Sequence, residues 1–243
     1  AVFLNYYNRK ESKYNLLLAA TAEEEISGKG GIEALLPHLP PIASAVVGEP
    51  TGMQLAVAER GLMVVDALST GVAGHAARNE GHNALYKALD DVSKIRALRF
   101  PKESPLLGPV SMNVTVLRTD NAAHNVVPST CNFVVDVRVN ELYTLEEVLE
   151  ILQSSLCSEL TPRSMRLRPS SIDVQHPLVA AGASLGLQCY GSPTTSDKSL
   201  MPFPALKLGP GESSRSHSAD EFIYLAEIET GIDLYIQLLN QIL

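Results

Sequence analysis

The sequence predicts an α/β fold in which a sheet-centred domain is interrupted by an inserted ferredoxin-like α+β domain. Short continuous apolar runs near both ends of the chain are typical of strands that are buried on both faces of an α/β sheet. The middle of the chain instead carries alternating, β-rich segments separated by helical patterns. We therefore place the sheet-centred domain at residues 1–56 and 171–243, and the inserted domain at residues 57–170.

The sheet-centred domain is predicted from three apolar runs and two helical patterns. The runs NLLLAA, ASAVV and ALKL predict strands over residues 15–20, 43–47 and 205–208. Residues 30–36 form a short helix candidate. Residues 227–243 place their apolar side chains on one stripe, which indicates a long amphipathic helix.

The inserted domain is predicted from the order of its elements. Strands are expected over residues 62–69, 110–117 and 132–139 and near 165–168, and helices over about 82–95 and 145–159. Thr144 and Glu147 form a capping box that marks the start of the second helix. The resulting order of strand, helix, strand, strand, helix, strand is the ferredoxin-like order.

Composition excludes several classes of partner. The 243 residues carry a formal charge of −8, and their basic residues are scattered, so the chain has no basic surface for nucleic acid or for an anionic membrane. No run of about 18 apolar residues predicts a membrane span. Cys131, Cys157 and Cys189 match neither a zinc knuckle nor a redox pair, and we expect free thiols in a cytoplasmic protein.

Acidic and histidine residues directly follow the three predicted strands. Glu23, Glu24 and Glu25 follow the first strand, Glu49 the second, and the third leads through a glycine-rich turn to His217. Loops at the carboxyl ends of such strands meet at one crevice, where several carboxylates ionise together only around cations. The pattern therefore predicts a site for two divalent metals. The plainer alternatives are a solvated acidic turn and a structural histidine.

The segment around His217 also predicts a local structure. Ser218 and Glu221 have the spacing of a capping box, which predicts that His217 lies at a helix N-terminus. A helix N-terminus favours the neutral imidazole that can bind a metal ion.

Four segments resemble motifs of one enzyme family. TAEEEISGKGG resembles T-x-[DE]-E-E, AVVGEPT resembles G-E-P-[TS], GHAARNEGHNAL resembles G-x-x-x-H-x-x-x-P-x-x-G-x-N-A, and SHSADEFI resembles H-x-x-[DN]-E. These motifs, in this order, are similar to those of the two-metal aminoacylase, carboxypeptidase G, acetylornithine deacetylase and succinyl-diaminopimelate desuccinylase family. They span nearly the whole chain, although Arg78 and Asn79 stand where many relatives have a proline.

The resemblance implies a role for each motif residue. Glu24 would be the general base, Glu25 and His217 would bind one metal, and Glu49 would bind the other. His75 would stabilise the oxyanion across a dimer interface formed by the inserted domain. A turn or packing histidine is the alternative for His75.

Four further residues would contact substrate if the resemblance holds. They are an asparagine in an N-x-[VI]-P segment, the arginine of a D-x-R segment, and residues of two loops: Asn125, Arg138, Ser196 and Gly211. The arginine would hold a substrate carboxylate with its planar guanidinium. A turn asparagine and a surface ion pair are the alternatives for the first two.

One part of the family pattern does not occur in these residues. The family also uses an H-x-D strand and a bridging Asp, both N-terminal to the acidic motif, and no Asp precedes Glu23 here. We expect that a preceding segment of a complete enzyme supplies these ligands. The alternative is a catalytically incomplete member that serves as a binding or dimerisation module.

The resemblance also implies substrate, cofactor and assembly. The expected activity is metal-dependent removal of an acyl group from an N-acylated amino acid, with N-acetylornithine first, succinyl-diaminopimelate second and dipeptides third. Two divalent ions are expected, with zinc first and cobalt or manganese as alternatives. The expected assembly is a homodimer that forms through the inserted domain.

Overall fold

The computed structural model describes residues 1–7 and 12–243 and divides the chain into two compact units. The first unit comprises residues 1–59 and 170–243, and the second comprises residues 60–169. The predicted boundary after residue 56 falls inside a strand of the first unit, Leu55–Glu59. Along the described ranges, no helix is long and apolar enough to span a bilayer.

The strands and helices are numbered in chain order. The strands are β1 (Ala45–Val47), β2 (Leu55–Glu59), β3 (Gly61–Thr70), β4 (Gly74–His75), β5 (Ser111–Thr119), β6 (Val126–Val127), β7 (Thr130–Val139), β8 (Glu159–Pro162), β9 (Ser170–Ser171), β10 (Cys189–Ser192) and β11 (Ala205–Lys207). The α-helices are α1 (Val2–Tyr6), α2 (Ile32–Leu35), α3 (Ala84–Ala97), α4 (Leu145–Ser155), α5 (Pro177–Ser184) and α6 (Leu225–Asn240).

The first unit is built on a mixed sheet with the strand order β1-β11-β2-β10, and β9 pairs with β2. β1 runs parallel to β11, and β10 runs parallel to β2. Every residue of β2 is buried, because strands in the middle of such a sheet are covered on both faces. Helices α5 and α6 contribute Leu178, Val179 and Leu238 to the same core.

The predicted strand over residues 15–20 is wrong. These residues form no strand, and Leu17 and Leu18 remain 45% and 68% exposed. A strand needs a neighbour for its backbone N–H and C=O groups, and β1, the sheet-edge strand, pairs only with β11 within the described residues. An apolar run alone therefore did not make a strand here.

The second unit is an antiparallel sheet with the order β5-β7-β3-β8. Side chains of β3 and β7 alternate between buried and partly exposed, since one sheet face packs on the helices and the other does not. Helix α4 begins with the predicted capping box: Thr144 accepts a hydrogen bond from the N–H of Glu147, and Glu147 accepts one from the N–H of Thr144. The element order is the predicted ferredoxin-like order.

The last strand of this unit was predicted in the wrong place. It was expected near residues 165–168, but β8 is Glu159–Pro162. Helix α4 ends at Ser155, about one turn earlier than predicted, so the chain returns to the edge of β3 sooner. Leu160 of β8 packs against the core of this unit.

Asp91 of α3 connects this helix to the segment that leads into β8. Its carboxylate accepts hydrogen bonds from the N–H of Cys157 (3.0 Å), from the N–H and hydroxyl of Ser158 (2.8 and 2.7 Å) and from Lys94 (3.1 Å). Burial alone would raise the pKa of Asp91, but these donors together hold it below its ordinary value. Asp91 therefore contributes stability as the ionised carboxylate.

We expect Asp91→Ala to lower the free energy of unfolding by about 2 kcal/mol, since it leaves several partly buried donors without their acceptor. Because the pKa of Asp91 is depressed in the folded state, its contribution is complete above its ordinary pKa and is lost as the pH falls through the folded value. Urea unfolding at pH 7 and at acidic pH measures both effects. Asp90→Ala, at the exposed neighbouring position, is the control. Equal stability of the two variants at pH 7 would contradict this role.

Candidate active site

The acidic motif forms a tight loop whose outer glutamate holds it together. Glu24 and Glu25 lie in a single 3₁₀ turn that is flanked by Glu23 and Ser27, both with positive φ (62° and 49°). The Glu23 carboxylate accepts a hydrogen bond from the N–H of Gly30 (2.8 Å), and a Cβ at Gly30 would lie 2.8 Å from its oxygens. Glycine is thus required where the Glu23 side chain folds back.

The loop that carries Glu49 is bound to the loop after β11. The hydroxyl of Thr51 donates to the carbonyl of Gly209 (3.3 Å) and accepts from the N–H of Gly209 (3.2 Å). The carbonyl of Gly211, which has a φ of 84°, accepts a hydrogen bond from the N–H of Gly52 (2.7 Å). These bonds hold the loop after β1 beside the loop after β11. The carbonyl of Gly211 thus takes part in a structural hydrogen bond.

His217 does not lie at a helix N-terminus, and that prediction is wrong. The helix begins at Leu225, and His217 lies in a turn with a φ of 58°. Glu221 accepts from the N–H of His217 (3.1 Å) instead of capping a helix, and the hydroxyl of Ser218 donates to the carbonyl of Arg215 (2.8 Å). The side chains of Ser218 and Glu221 thus make their hydrogen bonds within a turn and cap no helix.

The turn that carries His217 is tied to the start of α6. The guanidinium of Arg215 makes two hydrogen bonds to the carboxylate of Glu227 (2.8 and 2.5 Å), and Glu227 also accepts from the N–H of Tyr224 (3.0 Å). Arg215 hydrogen bonding holds the pKa of Glu227 down at about 2. The geometry of the turn therefore depends on a bidentate ion pair.

The motif residues of the first unit converge. The Nε2 atom of His217 lies 3.9 Å from Oε2 of Glu25. Burial raises the pKa of Glu24, and the charges of Glu49, Asp197 and Glu25 raise it further. Burial also raises the pKa of Glu49, while the positive charge of Lys207 opposes this shift. The carboxylates thus lie close enough to repel one another, as a cation site requires.

The donor types at this cluster fit a divalent metal, although the set is incomplete. Carboxylate oxygen and imidazole nitrogen are ordinary zinc ligands, and two ligands of one tetrahedral zinc lie about 3.4 Å apart. The separation between Glu25 and His217 is close to this value. Within residues 1–7 and 12–243, however, no three His, Cys, Asp or Glu side chains are grouped so that they could hold one ion.

Asp197 is a member of the cluster that was not selected from the sequence. Burial raises its pKa, and its carboxylate accepts a hydrogen bond from the hydroxyl of Thr21 (3.2 Å). Its charge acts on both Glu24 and Glu49. The available signal was its position directly after the candidate Ser196. Polarity alone could not decide which of the two side chains faces the cluster.

Ser196 instead faces the protein interior. It is 4% exposed, and its hydroxyl donates to Oε2 of Glu59 (2.7 Å). It also caps the short 3₁₀ turn that follows by accepting from the N–H of Lys198 (3.3 Å). Contact between the Ser196 hydroxyl and a substrate would require these bonds to break.

In the second unit, His75 and Asn125 are brought together. His75 in β4 pairs with Val126 in β6, and the N–H of Ala76 donates to the carbonyl of Asn125 (3.0 Å). Nδ1 of His75 accepts a hydrogen bond from the N–H of Ala77 (3.2 Å). A ring that accepts this bond at Nδ1 has its N–H donor at Nε2.

Arg138 is at the other end of this unit's sheet. It pairs with Leu62 at the start of β3, whereas Thr130, next to the His75 region, pairs with Thr70 at the end of β3. Eight residues of strand separate the two ends by about 27 Å. The guanidinium of Arg138 binds the Asp136 carboxylate at 2.7 and 3.0 Å. Arg138 therefore forms an ion pair in this structure, which is the alternative to a substrate contact.

Backbone strain is concentrated at the predicted motifs. Among the described residues, the non-glycine residues with positive φ are Glu23, Ser27, Met53, Asn79 and His217. Each lies within or next to a motif segment. Such a conformation costs roughly 1–2 kcal/mol for most residues and persists where the surroundings require it. This distribution favours a functional interpretation of the loops.

Comparison with known proteins identifies the second unit and gives relatives of the chain. Residues 57–162 match the M20 peptidase dimerisation domain. A succinyl-diaminopimelate desuccinylase from Dinoroseobacter shibae is 29% identical over 148 residues, which cover 57% of this chain and 39% of that protein. An acetylornithine deacetylase from Proteus mirabilis is 26% identical over 251 residues, which cover 93% of this chain and 63% of that protein.

Solved structures show the same fold. Aminopeptidase PepT from Bacillus cereus superposes with a TM-score of 0.71 at 18% identity, over 91% of this chain and 63% of that chain. An M20 family metallo-carboxypeptidase from Sulfolobus solfataricus superposes with a TM-score of 0.63 at 15% identity, over 90% of this chain and 68% of that chain.

The chain thus has a fold similar to that of M20 metallopeptidases. Its second unit is a peptidase dimerisation domain, and the family resemblance and fold class predicted from the sequence are confirmed. The chain spans about two fifths of the length of the first desuccinylase relatives that it matches.

Proposed function

We propose that this chain forms part of a metal-dependent amide hydrolase that removes an acyl group from an N-acylated amino acid. The observation that supports the proposal is that Glu25 lies beside His217 and that burial first, and the charges of neighbouring carboxylates second, raise the pKa of Glu24 and Glu49. A divalent cation bound among these carboxylates would offset their electrostatic repulsion.

Each residue of the cluster has a defined part in the proposed reaction. Glu25 and His217 would hold one divalent ion and Glu49 would hold a second, with zinc as the first candidate and manganese or cobalt as alternatives. Bound metal ions of this kind polarise an amide carbonyl and make water a stronger nucleophile. Glu24 is left free of metal, so it accepts a proton from the attacking water and passes it to the leaving amine.

The second unit supplies the remaining polar groups in this proposal. The Nε2–H of His75 donates to the oxygen that becomes negative in the transition state, across a homodimer interface. Asn125 contacts the substrate beside it. Arg138 lies about 27 Å along the sheet from the end that carries His75 and is paired with Asp136. One protomer therefore cannot present both residues to the same small substrate, and the carboxylate-binding role expected for Arg138 is not part of this proposal. In this proposal, backbone groups of the loops that carry Ser196 and Gly211 contact the substrate.

The proposed site needs ligands that these residues do not supply. An H-x-D histidine and a bridging Asp are absent before Glu23. In the proposal they come from another segment of the complete protein. A binding or dimerisation module without catalysis is the second candidate, favoured by the absence of a three-ligand group in the described residues. The complete reading frame decides between these two candidates.

The proposed substrate is N-acetylornithine or a similar N-acyl amino acid, and the cytoplasmic biosynthesis of arginine is the corresponding role. The deacetylase relative supports this choice because it aligns over 93% of the chain. Succinyl-diaminopimelate is the second candidate, supported by the desuccinylase relatives. Short peptides are the third candidate, because two of the structures with this fold are named as an aminopeptidase and a tripeptidase.

We expect Glu24→Gln to lower kcat by at least about a hundredfold while metal content is retained, since a general base contributes a factor of this size. The measurement is hydrolysis of N-acetylornithine and of succinyl-diaminopimelate by protein from the complete reading frame, together with elemental analysis. Glu33→Gln in the first turn of α2 is the matched control and keeps full activity. Unchanged turnover by Glu24→Gln would remove Glu24 from the mechanism.

A mixture of two inactive variants should regain activity if His75 acts across the dimer. In a hybrid of His75→Ala and Glu24→Gln protomers, one site combines an intact Glu24 with an intact His75 from the other protomer. Random reassembly makes about half of the dimers hybrid, with one working site each, so activity returns to about a quarter of the wild-type value.

The control for this experiment is each variant unfolded and refolded alone, which stays inactive. A mixture that remains as inactive as its components, while sedimentation shows that dimers have formed, would contradict the trans-acting role of His75. A protein that sediments as a monomer at assay concentration would contradict the homodimer itself.

A further inference from the structure

A buried glutamate holds the loop that follows β10. Glu59, the last residue of β2, is fully buried. Its Oε2 accepts a hydrogen bond from the hydroxyl of Ser196 in the loop (2.7 Å), and its Oε1 accepts one from the hydroxyl of Ser170 in β9 (3.2 Å). Oε2 also lies 3.6 Å from Nζ of Lys207 in β11. The carboxylate thus joins the loop to two strands that are distant from it in the chain.

Two buried lysines bind the same loop. Nζ of Lys207 donates hydrogen bonds to the hydroxyl and the carbonyl of Thr194 (3.1 and 3.4 Å). Lys198, which is 1% exposed, donates from Nζ to the carbonyl of Val57 in β2 (3.2 Å). Together with the bond from the loop to Glu59, these contacts fix residues 194–198 to β11 and β2 at three points.

A network of this kind is better suited to fixing geometry than to supplying stability. Taking charged groups out of water is costly, and replacing a buried ion pair by apolar side chains often leaves stability unchanged or raises it. A buried polar network whose members are hydrogen-bonded does, however, hold its parts in one arrangement. The arrangement that Glu59 defines is that of the loop.

Asp197 is the residue that the anchored loop presents. Its neighbours Ser196 and Lys198 are buried and make their contacts in the interior, whereas Asp197 between them is only partly buried. The carboxylate of Asp197 accepts a hydrogen bond from the hydroxyl of Thr21, the first residue of the acidic motif (3.2 Å). The anchored loop is therefore in direct contact with the segment that carries the candidate general base.

We propose that Glu59 is a positioning residue, which holds residues 194–198 so that Asp197 and the adjacent backbone face the substrate. This inference rests on the proposed function, in which the same loop contacts the substrate. Glu59 acts through Ser196 and Lys207 and does not touch the substrate itself. Loss of an anchor loosens contacts made both before and during the reaction, so it raises KM more than it lowers kcat.

The test compares two serine variants that each remove one hydrogen bond from the same carboxylate. Ser196→Ala releases the loop, whereas Ser170→Ala removes the bond from β9 and leaves the loop anchored. The assay uses protein from the complete reading frame and the better hydrolysed of N-acetylornithine and succinyl-diaminopimelate. Ser196→Ala should raise KM at least about fivefold and change kcat less than about twofold, and Ser170→Ala should leave both within about twofold of the wild type.

Hydrogen exchange measures the anchoring without turnover. The backbone amides of residues 197–201 should exchange at least about fivefold faster in Ser196→Ala than in the wild type, and at the wild-type rate in Ser170→Ala. Glu59→Gln leaves Ser196 able to cap the turn at Lys198 but loses the ion pair with Lys207. It should accelerate the same amides. Thermal melting establishes that each variant is folded, and unchanged exchange in Ser196→Ala would contradict the anchoring.

A double-mutant cycle separates action through Glu59 from direct contact between the Ser196 hydroxyl and the substrate. A glutamine at this position accepts only a neutral hydrogen bond, which is about half as strong as one to a carboxylate. Ser196→Ala should therefore raise KM less in Glu59→Gln protein than in the wild type. An equal effect in both backgrounds would assign the hydroxyl to the substrate and refute the role of Glu59.

The outcomes also separate this inference from the proposed function. Wild-type protein that hydrolyses neither substrate would overturn the proposed activity and with it the role of Glu59 in that activity. An active wild type with the same KM in Ser196→Ala, or an equal rise of KM in Ser196→Ala and Ser170→Ala, would overturn the positioning role alone. A rise of KM in Ser196→Ala but not in Ser170→Ala, with faster exchange in the loop, supports it.

Discussion

Repulsion among carboxylates at one edge of a sheet is the constraint on which the rest of the first unit depends. Burial raises the pKa of Glu24 and of Glu49, and the charges of neighbouring carboxylates, among them Glu25 and Asp197, raise both further. Hydrogen bonds between Thr51 and Gly209 hold the loop that carries Glu49 against the loop after β11, so the fold keeps part of this cluster in place.

Those loops show how the fold converts strand order into a site. β1 and β11 run parallel, so the chain leaves both strands at the same edge of the sheet. Thr51 then binds Gly209, and Glu23 binds the N–H of Gly30, which fixes the loops that carry the other glutamates. Residues with positive φ mark each place where the chain turns sharply to do so.

Much of the second unit could be predicted from the sequence, since its signals are local. The capping box at Thr144 and Glu147 and the alternation along β3 and β7 depend on residues that are close in the chain or in register. The same is true of β11, whose short apolar run gave its position. Local patterns of this kind determine which face is buried whatever the distant contacts are.

Predictions failed where a distant partner decides the structure. Residues 15–20 are apolar enough for a strand but have no strand neighbour, and the capping pattern after His217 was satisfied within a turn. β2 was not predicted, and the burial of its last residue, Glu59, depends on residues distant in the chain: hydrogen bonds from Ser196 and Ser170 and the ion pair with Lys207. Ser196 was selected from the sequence in place of Asp197, because the contact that turns Ser196 toward the interior is made with Glu59, which is distant in the chain.

We propose that three loops hold divalent cations at one edge of the sheet. Zinc anomalous diffraction from crystals of the protein tests it most directly. The account predicts a zinc peak about 2.0–2.2 Å from a carboxylate oxygen of Glu25 and from Nε2 of His217, and a second peak at Glu49. Zinc bound only elsewhere, or His217 turned away from Glu25 in the metal-loaded crystal, would contradict it.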